Sequence, residues 1–178
     1  MKSKIIVIDD VLSLHDVAAF QDQHFCLENN SIPNTWADKG VIPPYFQNLV
    51  SVVEKHVDIR KAVGYEWWTQ KSTYSGKGWH YDLDENIWIN QLKVVPPICS
   101  VVYYPLVAHM KGGDFITEDI RITPKTNRMI IMKPNVLHMI APYNQEEATR
   151  WSFLCNPWTY KLEWANPSWT KSEPGTQT

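Results

Sequence analysis

From about residue 62 onward the sequence is a succession of short β-forming stretches with Pro, Gly and Asn between them, and no other feature constrains the fold as much. In the first stretch Tyr65, Trp67 and Thr69 alternate with Glu66, Trp68 and Gln70. That is the period-two pattern of a strand whose two faces meet different surroundings. Further strands are expected over 79–83, 98–104, 114–117, 120–122, 128–132, 138–143 and 149–156. Short strands at near-regular spacing build an antiparallel sandwich or barrel. The expected fold class is mainly β, with its core over about 63–158.

Flanking helices are expected before this region. Residues 4–8 (KIIVI) read as an opening strand, and Ser13 with Asp16 has the form of a capping box. A helix over about 14–24 should follow, with Leu14, Val17, Ala18 and Gln21 along one side. The stretch 29–44 is rich in Asn, Pro and Gly and reads as loop. A second helix is expected over about 45–59, opening after Pro43-Pro44, with Phe46, Leu49, Val50, Val53 and Val57 as its apolar stripe. His56 lies beside that stripe and reads as a solvated helix residue. With the helices ahead of the strands, they should pack on the outside of one sheet. Residues 1–165 form one domain in this reading, and the polar stretch 166–178 is a loose tail.

Composition excludes several classes of function. The formal charge is −2 and Lys and Arg are scattered, so there is no basic track for nucleic acid. No stretch reaches the ~18 apolar residues of a membrane span, and the run Ile5 to Ile8 is too short for a signal-peptide core. Cys26, Cys99 and Cys155 are odd in number and widely spaced, which fits neither a disulfide framework nor a thiolate metal site. A soluble protein of the reducing cytoplasm is expected. Aromatic residues make up 12% of the chain, with nine Trp. They suit a β-rich core, an aromatic-walled pocket, or both.

Chemistry concentrates in three places. His80-Tyr81-Asp82 contains His-x-Asp, and residues two apart on a strand project from one face toward one metal. His138 lies far downstream on another strand candidate, after Lys133-Pro134-Asn135. Two His and one carboxylate make the facial triad of non-haem Fe(II) oxygenases, with coordination positions left open. Asp84 is the alternative carboxylate if the strand bends. On the last strand Arg150 and Ser152 share a face, and Arg beside a hydroxyl is a receptor for a carboxylate. Gly112-Gly113 reads as a turn, with His109 solvated in the loop before it.

These segments occur in a particular order: TYSGKGWHYD, ICSVVYY, Gly112-Gly113-Asp114-Phe115, RMIIMKPNVLHMIAPY and TRWSF. In that order, from about Tyr74 to Trp158, the chain resembles the 2-oxoglutarate/Fe(II)-dependent dioxygenases, most closely their prolyl-4-hydroxylase-like branch. The resemblance implies a double-stranded β-helix (jelly-roll) core. It implies that His80, Asp82 and His138 bind Fe(II), and that Arg150 and Ser152 bind the far carboxylate of 2-oxoglutarate. It also implies a Tyr on the strand before the Gly-Gly hairpin. Tyr104 is favoured over Tyr103 by the match of the Tyr-Tyr pair, though one residue of register slip would exchange them.

The implied reaction consumes 2-oxoglutarate and O2, releases succinate and CO2, and hydroxylates a C–H bond, with ascorbate as reductant in vitro. With Asp82 in place of an open halide position, hydroxylation is favoured over halogenation. The branch commonly carries Lys where this chain has Arg150, and the loop 144–148 is slightly long, so the target is not tied to proline. A peptidyl residue or a small metabolite would serve as substrate, selected by residues 83–97 and 29–44, with Trp79 and Trp88 as candidate pocket walls. The rival reading is a cupin-like β-barrel that binds a metal or small molecule without catalysis, which would have no use for Arg150-x-Ser152.

Overall fold

A computed structural model gives the structure and describes residues 4–25, 32–71, 75–144 and 148–166. Cys26, Tyr74 and the tail from residue 167 lie outside the described residues, as do the middle of the 144–148 loop and part of the 29–44 stretch. The elements run β1 (Ile5–Ile8), α1 (Leu14–Phe25), β2 (Thr35–Asp38), α2 (Pro44–Glu54), β3 (Gly64–Lys71) and β4 (Lys77–His80). Then come α3 (Glu85–Gln91), β5 (Ser100–Ala108), β6 (Lys111–Gly112), β7 (Phe115–Ile116) and β8 (Arg121–Ile122). β9 (Arg128–Met132), β10 (His138–Ile140), β11 (Tyr143–Asn144) and β12 (Thr149–Trp158) close the β region.

Two antiparallel sheets carry the fold. The larger has the order β1-β9-β5-β12-β3-β2, and the smaller β4-β10-β7-β8, with β11-β6 as a separate ladder. The mainly β architecture read from the sequence is present. β12 lies inside the larger sheet, bonded to β3 from Trp151 to Trp158 and to β5 on its other side. Between Trp151 and Phe153 the β12–β5 register shifts, with Ser152 on β12 opposite two residues on β5, Tyr104 and Pro105. Pro105 lies in that interval, and a residue without N–H breaks a ladder where a bulge can form.

Strand alternation divides the larger sheet into two faces. On one, Phe20 of α1 and Phe46 of α2 pack edge-on against Phe153, and Tyr65, Trp67, Val101 and Tyr103 complete that core. On the other, Val102, Tyr104, Ile130 and Met132 meet Phe115 and Ile122 of the smaller sheet. The helices α1 and α2 thus cover the outside of one sheet, and the space between the sheets is left for a site. Asn127 ties the N-terminal region to this frame. Its side chain donates to Leu12 O (2.8 Å) and accepts from Leu12 N (3.0 Å) and from the Tyr103 hydroxyl (3.2 Å).

Several local expectations are corrected. Ser13 and Asp16 do cap α1, with Asp16 N donating to Ser13 Oγ at 3.1 Å and that hydroxyl donating to Asp16 Oδ2 at 2.7 Å. The buried face of α1 is Val17 and Phe20, however, while Leu14 is 86% exposed and Ala18 is exposed as well. α2 starts on Pro44 as expected and ends at Glu54, not near 59. Val57 keeps the apolar spacing but packs from the turn that follows. The 29–44 stretch holds a strand, β2, paired with β3. Residues 83–97 hold a helix, α3, started by Asp84, whose Oδ1 accepts Ile87 N at 3.0 Å. β4 stops at His80, so Asp82 lies past the end of the strand. Cys99 and Cys155 are buried and free.

Candidate metal centre and adjoining cavities

The two histidines come together through a single rung of sheet. β10 and β4 pair with His138 directly opposite His80, closing a long sequence separation. The ladder bulges immediately beyond, with Ile140 opposite Lys77. Gly76 permits that approach, because a Cβ there would lie 2.2 Å from Ile140 O and its φ is +69°.

Each imidazole is oriented by its own backbone. His80 Nδ1 lies 2.7 Å from Gly78 O, and His138 Nδ1 lies 3.0 Å from Val136 O. A carbonyl can only accept, so Nδ1 carries the proton in both rings and Nε2 is left with its lone pair. Both Nε2 atoms face Asp82, that of His80 at 3.9 Å from Oδ1 and that of His138 at 3.8 Å from Oδ2. Those distances are too long for hydrogen bonds. The three ligand atoms lie within 4.8 Å of one another, a donor set that suits Fe, Mn, Co or Ni. Phe115 stacks on His138 with ring centroids 5.2 Å apart and fixes its plane. Burial, with His138 and Lys77 beside it, holds His80 below the usual histidine range, which favours the neutral imidazole that a metal ligand must be. Asp84 is not the third ligand: its two oxygens are taken by Ile87 N and the Tyr160 hydroxyl (2.9 Å).

A narrow inner cavity runs from the triad between the sheets, and its far end is made by Arg150 and Ser152. Arg150 is only 3% exposed and has no ion pair among the described residues. Its guanidinium lies over the Tyr104 ring, Cζ 5.1 Å from the centroid, with Nη2 a marginal 3.5 Å from the hydroxyl. Arg150 Nε and Ser152 Oγ are buried and have no hydrogen-bond partner. Tyr104, not Tyr103, is on this side, since Tyr103 points to Asn127 and the helices. Burial raises the Tyr104 phenol above its usual value, so it stays a neutral hydroxyl beside the guanidinium.

A second, wider cavity of about 420 Å³ shares Trp68, Lys77, His80, Asp82 and Asn156 with the first. Glu66, Asp84, Glu85 and Trp164 are among the other residues around it. Trp79 and Trp88 are about half exposed and are not among the residues lining either cavity. The aromatic wall read for them belongs to Trp68 and Trp164. Sequence reasoning passed over Glu66, Trp68 and Asn156. The signal was present in the alternation of β3, where Glu66, Trp68 and Gln70 share a face, and of β12, where Asn156 shares the face of Arg150 and Ser152.

No protein-family model and no curated protein matches the sequence. The fold does match solved structures. The viral collagen prolyl hydroxylase of Paramecium Bursaria Chlorella virus-1, in complex with 2-oxoglutarate, superposes with a TM-score of 0.60 at 14% identity, over 88% of this chain and 97% of that one. A Pseudomonas putida prolyl-4-hydroxylase gives 0.60 at 15% identity, over 88% and 92%. HygX from Streptomyces hygroscopicus, with nickel and 2-oxoglutarate bound, gives 0.60 at 12% identity, over 91% and 85%.

Proposed function

The chain has the fold of the 2-oxoglutarate/Fe(II) oxygenases, and from that premise we propose that it is such an enzyme, hydroxylating a C–H bond of a small molecule or peptidyl residue. The observation that carries this reading is Arg150. A buried guanidinium without an anion costs several kcal/mol unless a partner arrives. Its orphaned Nε and the orphaned Ser152 Oγ beside it offer two donors to a carboxylate at the end of the cavity that begins at the triad. A dicarboxylate with a metal-chelating keto-acid end fits both requirements. A binder of metal alone has no use for the far end.

When bound, Fe(II) with 2-oxoglutarate and O2 supplies the oxidation, giving succinate, CO2 and a hydroxylated substrate. His80, Asp82 and His138 hold the metal, the histidines through Nε2. Arg150 and Ser152 take the remote carboxylate, and Tyr104 stacks on the guanidinium and limits where it can move. Phe115, Ile140 and Leu154 keep the inner cavity apolar, which strengthens these charge contacts and excludes bulk water. The wider cavity then receives the substrate on the side of His80 and Asp82. A succinate-formation assay with Fe(II), ascorbate and 2-oxoglutarate, run over peptide and metabolite panels, tests the reading. Substrate-stimulated succinate supports it; no 2-oxoglutarate consumption under any condition favours a passive binder.

A further inference from the structure

Glu66 lies on the wall of the wider cavity and is only 9% exposed. Its carboxylate accepts from three neutral donors: Asn34 Nδ2 at 3.3 Å, Asn156 Nδ2 at 3.2 Å and Trp158 Nε1 at 3.2 Å. No cation pairs with it among the described residues. The donors come from β12 and from the segment before β2, so the group is built in and held, not a surface carboxylate that happens to point inward. Burial raises its carboxyl above the usual range, and the Asp82 and Glu85 charges add to that. The Asn156 and Trp158 hydrogen bonds work against that rise. A carboxylate held in a cavity wall by neutral donors alone is stabilised when a cation is brought to it from outside.

The surroundings point the same way. With Asp82 given to the metal and Asp84 held by Ile87 N and the Tyr160 hydroxyl, Glu66 and Glu85 are the remaining carboxylates on the wider cavity, beside the one lining cation Lys77. Lys77 is exposed on β4, is not ion-paired with Glu66, and lies close enough to His80 to depress that group. Trp68 and Trp164, both half-buried, add two indole faces, the ring type that attracts a cation best. The cavity also shares His80 and Asp82 with the inner one, whose orphaned Arg150 Nε and Ser152 Oγ mark the joined space as a place for ligands.

We propose that the substrate carries a protonated nitrogen, an amine or guanidine, which pairs with Glu66 between the indoles of Trp68 and Trp164 and so sets a neighbouring C–H bond toward the metal. This rests on the oxygenase reading and narrows its substrate class. Neutral peptidyl side chains and anionic acids are disfavoured. Glu66 acts here in binding, not in the chemical step.

The test uses the whole chain loaded with Zn(II), a diamagnetic stand-in, and saturated with 2-oxoglutarate. Ligand-observed NMR then measures binding of 1,5-diaminopentane, agmatine and spermidine against 1,5-pentanediol, a neutral counterpart of similar length with no protonated nitrogen. The expected result is binding of at least one cation at least tenfold tighter than its neutral counterpart, weakened tenfold or more in Glu66→Gln and restored in part in Glu66→Asp. Equal binding of cations and neutral molecules overturns the proposal, as does a Glu66→Gln variant that binds the cations like wild type. A wild-type protein that takes up neither Zn(II) nor 2-oxoglutarate fails at the loading step, and that result counts against the oxygenase reading itself. Circular dichroism of Glu66→Gln establishes that the variant is folded, and Trp68→Leu supplies an independent arm, expected to weaken the cations more than the diol.

Discussion

At the scale of single residues, two buried charges without opposite charges beside them carry most of the functional information. Arg150 is the cation and Glu66 the anion, and each faces a cavity. Replacing an unpaired buried charge by an apolar residue of similar length is often neutral or stabilising, whereas removing it from a ligand costs the whole charge pair. Arg150→Met should therefore keep or raise the melting temperature of the ligand-free protein. The same substitution should weaken 2-oxoglutarate binding by ~2–5 kcal/mol, measured on metal-loaded protein. Ser152→Ala should cost ~0.5–1.5 kcal/mol of that binding, the size of one neutral hydrogen bond. For Glu66 the sign runs with pH. Its carboxyl is raised in the folded state, so the folded protein holds that proton more tightly than the unfolded chain. As pH rises through the ordinary Glu value and above, the wild type should lose stability relative to Glu66→Gln, and below pH ~4.5 the gap should stop changing. Denaturant titrations of the two proteins across pH 4 to 8 check this; a gap that moves the other way would show that the three donors outweigh burial.

At the scale of elements, one rung of β10 on β4 builds the histidine pair, and α3 forms one side of the wider cavity. Asp84 fixes α3 at both ends of its carboxylate, capping the helix with Oδ1 and accepting from Tyr160 with Oδ2. Asp84→Ala should cost ~0.5–2 kcal/mol of stability through the lost cap. It should also loosen the wider cavity, so substrate affinity falls while 2-oxoglutarate affinity stays. The long strands were legible because period-two alternation separates the Phe153 face of the larger sheet from the Arg150 face. α3 was not, since its seven residues bury no side chain and leave no apolar stripe to read. β2 escaped for a similar reason: four residues at a sheet edge, inside a stretch whose composition reads as loop. In α1 the spacing gave a helix but the wrong phase, because Phe20, not Leu14, reaches the sheet.

At the scale of the molecule, a metal held by His80, Asp82 and His138 would tie β10 to β4 and the residues just after it, across the sequence between residues 82 and 138. Ligation that exists only in the folded state adds stability by mass action, ~2.7 kcal/mol when the free metal is 100 times its dissociation constant. For a chain of this length each kcal/mol is worth roughly 2–4 °C. Chelated protein should therefore melt lower and recover with Mn(II) or Ni(II), and His138→Ala should show no such recovery while remaining folded without metal. The triad and the Arg-x-Ser pair were legible from residue type, order and spacing. The wider cavity was not, because its wall draws on Asn34, β3, α3, the end of β12 and Trp164, which only the folded chain brings together.

Whether the triad and Arg150 together hold 2-oxoglutarate is read by a calorimetric titration of 2-oxoglutarate into the Ni(II)-loaded protein, repeated on metal-free protein and on Arg150→Met. One site per chain is expected, needing both the metal and Arg150, with binding lost or greatly weakened when either is absent. Binding that is undetectable in the Ni(II)-loaded wild type, or unchanged in Arg150→Met, would contradict that expectation.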